Sequence, residues 1–254
     1  MAVITTSKDL SLGAGKLYFD RFDKNGLPTG ERPLGNAPEF TLTTATEKKE
    51  KYSSMSAAKG LLQSVVTKIT ITVKTKLDYF SPANLALALM GEEGVYTQTA
   101  KNGLDAKFTK VTQGMFYSLG YKAVKNVVVT DTTAATTYVV AADYTVDAKT
   151  GRIEIIVDGN IADDSDIDVT FDIAACAMVK ITGGSASKIE GYLHFVGDPS
   201  FGPAYEGEFW RVSVTPDGDL GFITEDWGSI GLSIEVQDDS ENHPAPDNYY
   251  RLLK

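Results

Sequence analysis

LYFDRFDKNGLPTGERPLGNAPEF, Leu17 to Phe40, is the stretch from which the fold class follows. Leu17, Tyr18, Phe19 and Phe22 are aromatic or branched residues that suit a pleated, half-buried surface. Asn25-Gly26 supplies the positive φ angles of a tight reversal. A Gly/Pro-spaced ledge follows, and no catalytic group interrupts the run, so the segment reads as scaffold.

The same β signal continues outward. Val65 to Leu77 alternates, with Thr67, Ile69, Ile71, Val73 and Thr75 on one side and Lys68, Thr70, Thr72, Lys74 and Lys76 on the other, the pattern of a strand wet on one face. Noisier alternation in Lys188–Val196, in Glu208–Thr215 (Trp210, Val212 and Val214 inward) and in Ser229–Val236 (Ile230, Leu232, Ile234 and Val236 inward) completes a one-sided sheet. Pro216-Asp217-Gly218-Asp219 is the turn of a hairpin. One helix is expected at Ser81–Met90, with Pro82 in its first turn, Leu85 and Leu89 on its apolar face and Gly91 as its C-terminal cap.

Two segments break this background. Glu47 to Lys51 followed by Tyr52 to Gly60 is charged, then small and polar, without period, and is expected as a long mobile loop. Asn126 to Ile173 is a second β-rich block, small for a self-sufficient domain. The expected organisation is therefore a main β domain of residues 1–125 and 174–254, with residues 126–173 inserted as an Ig-like or hairpin decoration.

Composition narrows the functions. A chain of 254 residues buries a core without staples, and its single Cys176, set among alanines, reads as a small buried hydrophobe. Acidic residues outnumber basic ones, 34 to 24, which argues against a protein that grips nucleic acid by neutralising phosphates. Met1 to Leu10 is polar, so neither a secretory signal nor membrane insertion is expected. Asp23-Lys24-Asn25-Gly26 fails as a calcium loop, because alignment puts Arg21 and Arg32 at ligand positions. Ser11 to Leu17 fails as a phosphate loop, since Leu follows Lys16. His194 and His243 lack a spaced partner that would suggest metal ligation or a nucleophile–base pair, and Asp163, Asp164, Asp166 and Asp168 read as an acidic turn. No catalytic, cofactor-binding or metal-ligating residue is expected, and the chain does not read as an enzyme.

Leu12-Gly13-Ala14-Gly15-Lys16-Leu17-Tyr18-Phe19, the Asn25-Gly26 turn, Thr29-Gly30-Glu31-Arg32 and Gly35-Asn36-Ala37-Pro38-Glu39-Phe40 resemble the start of tail tube proteins of long-tailed, non-contractile bacteriophages. Asp143-Tyr144-Thr145-Val146-Asp147 through Gly151-Arg152-Ile153 is similar to patterns in phage tail components. The resemblance covers Gly13 to about Met90 well and the last hundred or so residues loosely. It implies a mainly β fold, an antiparallel β-sandwich or barrel-forming sheet with one flanking helix. It also implies hexameric rings stacked into a hollow, sheathless tube in the virion tail, assembled in the host cytoplasm. Its partners would be further copies, the tail terminator, the distal tail protein and the tape measure, with genomic DNA passing through unbound. Lys48, Lys49, Lys51, Tyr52 and Met55 would lie in an inter-ring stacking loop. Lys68, Thr70, Thr72, Glu190, Ser213 and Glu235 would face the lumen, where either acidic groups such as Glu190 and Glu235 offset Lys68, Lys74 and Lys76 or those lysines sit at ring boundaries. The competing expectation is a secreted β-sandwich binding module, an adhesin or carbohydrate binder, with Tyr249 and Tyr250 as its platform.

Overall fold

The computed structural model describes residues 13–55, 57–201 and 204–254, so the polar segment 1–10 and Leu12 lie outside the described residues. The chain is mainly β and antiparallel, with one α-helix. In chain order it runs β1 (Gly15–Arg21), β2 (Arg32–Gly35), β3 (Glu39–Tyr52), β4 (Leu61–Leu77), α1 (Pro82–Ala88) and β5 (Glu92–Gln98). Then come β6 (Lys101–Val111), β7 (Phe116–Ser118), β8 (Val124–Asp131), β9 (Tyr144–Asp147), β10 (Arg152–Ile155) and β11 (Ser165–Ile173). The last five strands are β12 (Cys176–Thr182), β13 (Glu190–Gly197), β14 (Glu206–Pro216), β15 (Ile230–Val236) and β16 (Tyr250–Leu253).

The chain divides into two units: residues 1–93 with 181–254, and residues 94–180. Unit 2 thus begins well before the expected Asn126, because β6 pairs with β11 and β7 with β10, which binds residues 101–118 into the insert.

Unit 1 is built on an eight-stranded sheet ordered β2-β1-β13-β14-β15-β4-β3, with β16 also paired to β14. Leu17, Phe19, Val73, Leu77, Leu193, Val212, Ile234 and other alternating residues bury its inner face. The sheet curls strongly. Phe40 on β3 stacks on Phe195 of β13 at 4.9 Å, although β14, β15 and β4 lie between those strands. A flat sheet would hold them at least about 19 Å apart. Phe209 and Tyr250 extend the same aromatic cluster.

Trp210, expected inward, points the other way. Gly191 pairs with Val212 but Leu193 with Phe209, so β14 carries one extra residue, a bulge that reverses the alternation and puts Phe209 inside. The loop that opens the sheet is fixed by carboxylates: Asp23 accepts from the amides of Asn25 and Leu27, and buried Asp20 accepts from those of Thr29 and Gly30. Helix α1 has Ser81 as its N-cap and is tied down by buried Asn84, whose amide donates to the carbonyls of Leu34 and Tyr79. Its C-terminus closes with bonds from Gly91 to Ala86 and from Met90 to Leu87. Met90, not the expected Gly91, takes the left-handed conformation there. The helix is too short to cross a membrane, and no helix among the described residues is long and apolar enough to do so.

Unit 2 packs two three-stranded sheets, β6-β11-β8 and β7-β10-β9, around its own core of Val129, Tyr144, Ile153, Ile155, Val169, Phe171 and neighbours. The β9–β10 turn closes through Asp147, which accepts from the amide and hydroxyl of Thr150. Gly151 there has φ +70°, and a Cβ would stand 1.8 Å from the carbonyl oxygen of Tyr121. Gly151→Ala combines a left-handed strain of about 1–2 kcal/mol with that clash, and should lower the unfolding free energy by at least about 2 kcal/mol in urea titration; an unchanged midpoint would show that the turn relaxes freely.

Candidate assembly interface

Strands β3 and β4 are longer than the core that supports them. Ile71, Val73, Thr75 and Leu77 are buried, whereas every residue of β4 from Leu61 to Ile69 is exposed. The pairing nevertheless continues from Thr46–Ile69 out to Tyr52–Leu61, an arm that projects roughly 25 Å at strand spacing. The expected loop at Glu47–Lys51 is therefore strand. Its cations sit across from Val66, Val65 and Gln63, and of the described residues only 53–55 and 57–60 form the tip, closed by the Ser53 amide on the Gly60 carbonyl.

Residues paired across strands share a face. The inner face of the sheet thus runs on into the arm as Ile69, Val66, Leu61 and Tyr52, with Lys48 and Glu50 among them. All four apolar residues are exposed, as are Leu62, Val65 and Met55, the last at 95%. The hydroxyl of Tyr52 donates to Glu50, and that bond holds it above the ordinary phenol range. Of the expected stacking residues, Lys48, Lys49, Lys51 and Tyr52 lie along this arm and Met55 at its tip.

The opposite face is polar. Thr43, Thr72, Glu235, Ser213 and Glu190 stand in one row across five strands, with Thr70 and Lys68 further along β4. Three lysines on this face have carboxylate partners, though neither Glu190 nor Glu235 is among them. Lys68 pairs with Glu47 at 3.5 Å, Lys74 with Asp217 at 2.8 Å and Lys76 with Glu39 at 2.7 Å. Exposed pairs of this kind add about 0–1 kcal/mol each, so their effect is on the potential of the face rather than on stability. Glu190 is engaged instead by Lys188 and Arg211. Partial burial pushes its carboxyl up, but the Lys188 hydrogen bond and the two cations outweigh that and leave it below the ordinary carboxylate value.

Beyond Glu190 the polar face turns aromatic. Tyr192 stacks on Trp210, His243 stacks on the same indole at 3.9 Å, and the guanidinium of Arg251 lies over it at 5.3 Å. These rings wall a cleft of about 620 Å³ with Asp20, Phe22, Arg211 and Asp239. Both histidines have partners that sequence spacing did not reveal. His243 meets Asp239 four residues back, while His194 lies between Glu31 and Glu206 at 3.0 Å each, carboxylates that only strand pairing and the β1–β2 loop bring together. Tyr249 and Tyr250 are half-buried against the core, not an open platform.

Among the described residues no cluster of three His, Cys, Asp or Glu could hold a metal ion. Asp163 and Asp166 accept from the amides of Gln113 and Lys110, and Asp168 pairs with Lys107. Cys176, expected buried, is half-exposed on a strand whose other residues are mostly open. One family model, described as "Protein of unknown function UCP028589", matches residues 10–252, and no curated protein matches the chain.

Burial pulls the His194 imidazole down, but the hydrogen bonds and charges of Glu31 and Glu206 outweigh it and raise its pKa above the ordinary value. A raised folded pKa gives stability that is fully present below about pH 6.5 and lost as pH rises through the folded value. Wild type should therefore exceed His194→Gln in urea stability at pH 6 and lose that margin by pH 9. An equal margin at both pH values would contradict the ion-pair account.

Proposed function

The chain belongs to the UCP028589 family, and we propose that it is a structural virion protein, a tail tube subunit that self-assembles into stacked hexameric rings forming a channel for DNA. The observation that carries this reading is the apolar stripe Ile69–Val66–Leu61–Tyr52, which extends the core face of the sheet past the molecule's own core into solvent. A monomer gains nothing from a two-stranded arm of this composition, since isolated hairpins are marginal in water and exposed edges invite pairing. A neighbouring copy would cover it.

The open sheet supports the same reading. Its ends, β2 and β3, are free to pair with other copies, and ring closure would remove both edges. The charge-balanced face of Thr70, Thr72, Ser213 and Glu235 is the side we assign to the lumen, where DNA would pass without specific binding. Lys48, Lys49, Lys51, Tyr52 and Met55 then belong to contacts between rings. Tail terminator, distal tail protein and tape measure are the further partners, and the role requires no catalysis or cofactor. Unit 2, with a core of its own, is in this reading an outward decoration dispensable for assembly.

Negative-stain microscopy of the full chain at high concentration tests this. Rings or rods are expected, and particles that stay monomeric up to millimolar concentration would refute it. Replacing Leu61, Val66 and Ile69 by Thr should abolish rods while changing unfolding free energy by no more than about 0.5 kcal/mol per exposed site. Replacing residues 94–180 with a short Gly/Ser linker should leave rods intact; a folded variant that never assembles would place unit 2 in an interface.

A further inference from the structure

The arm has a counterpart at the other end of the same sheet. The connection between β14 and β15, residues 217–229, carries Phe222, Ile223 and Trp227 in the open, the last two at 98% exposure. Around them stand Asp219, Glu225 and Asp226, with no lysine or arginine anywhere from 217 to 229. The loop has a defined shape, since the hydroxyl of Thr224 donates to the carbonyl of Asp226 and Gly228 packs close to the ring of Phe80.

Strand register places the two features at opposite ends. Ile230, just after the loop, pairs with Leu77, whereas Val236 pairs with Ile71, beyond which β4 runs out into the arm. The arm is apolar and cationic: Lys48, Lys49, Lys51, Lys59 and Lys68 outnumber Glu47 and Glu50 along its length. The loop is apolar and purely acidic. Two exposed apolar surfaces of opposite charge, on opposite ends of one rigid sheet, cannot meet within a molecule but complement each other between copies. Such a contact is head to tail, and repeated it propagates along the strand direction instead of closing a dimer.

We infer that the β3–β4 arm of one copy docks on the acidic aromatic loop 217–229 of the next, with Trp227 and Ile223 against the Ile69–Leu61 stripe and Glu225 and Asp226 toward Lys48 on that face, within the positive field of Lys49 and Lys51 on the other. This rests on the assembly reading above and specifies its longitudinal contact. Sedimentation velocity on the full chain tests it with three variants: Lys48→Glu/Lys49→Glu/Lys51→Glu in the arm, Glu225→Lys/Asp226→Lys in the loop, and the two sets combined. Each single set should raise the concentration of half-assembly at least about tenfold by juxtaposing like charges, and the combination should return it to within about threefold of wild type. Trp227→Ser, which leaves charge untouched, should weaken association as well; circular dichroism confirms that each variant folds. If the loop set and Trp227→Ser assemble like wild type while the arm set does not, the arm docks elsewhere: this inference falls and the assembly reading stands. Loss in both single sets without recovery in the combination also overturns the pairing. A wild type that remains monomeric throughout overturns both.

Discussion

The inner face of the main sheet runs out of core before its two longest strands run out of residues. From Ile71 to Leu77, β4 alternates between a buried position and a wet one. Beyond Ile71 the same face continues with Ile69, Val66 and Leu61 and meets only solvent. Burying a large aliphatic side chain is worth about 1.5–3 kcal/mol, so covering this row would add a large favourable term that the chain's own core does not supply. The rest of the architecture fits that constraint. The Phe40–Phe195 contact curls the sheet, the short β2 and the long β3 leave its ends open, and the helix covers only the inner face near its centre.

The polar face obeys a different rule. Its charges are present in both signs, and Lys68, Lys74 and Lys76 are each matched to a carboxylate on a neighbouring strand or turn. In high dielectric these pairs add little to stability. Their consequence is to lower the local positive field of those three lysines. The acidic balance of the whole chain falls largely elsewhere, notably on loop 217–229 and on the capping carboxylates of unit 2.

Much of the fold was legible in the sequence, and its limits have physical causes. Alternation identified β15 and the inner half of β4 because burial there is strictly one-sided. The arm escaped because its stabilising pattern is not burial. Bulges at Thr67 and Leu62 break the period, and lysines on both faces imitate a solvated loop. Alternation alone puts Trp210 on the wrong face, because a bulge shifts parity without any local signature. The insert extends further toward the N-terminus than its local pattern shows, because β6 and β7 find their partners sixty and thirty-odd residues later, a separation that no local window spans. For the same reason the partners of Lys74 and His194 were invisible, since Asp217 and Glu31 reach them through tertiary pairing alone.

The central claim is that the arm is covered by another copy of the chain. Amide hydrogen exchange followed by mass spectrometry over residues 45–70, from micromolar to millimolar protein, addresses it without requiring any variant. The account predicts that exchange in the arm slows steeply with concentration while β13 and β14, already paired on both sides, stay unchanged. Arm exchange that is equally fast at every concentration would contradict it.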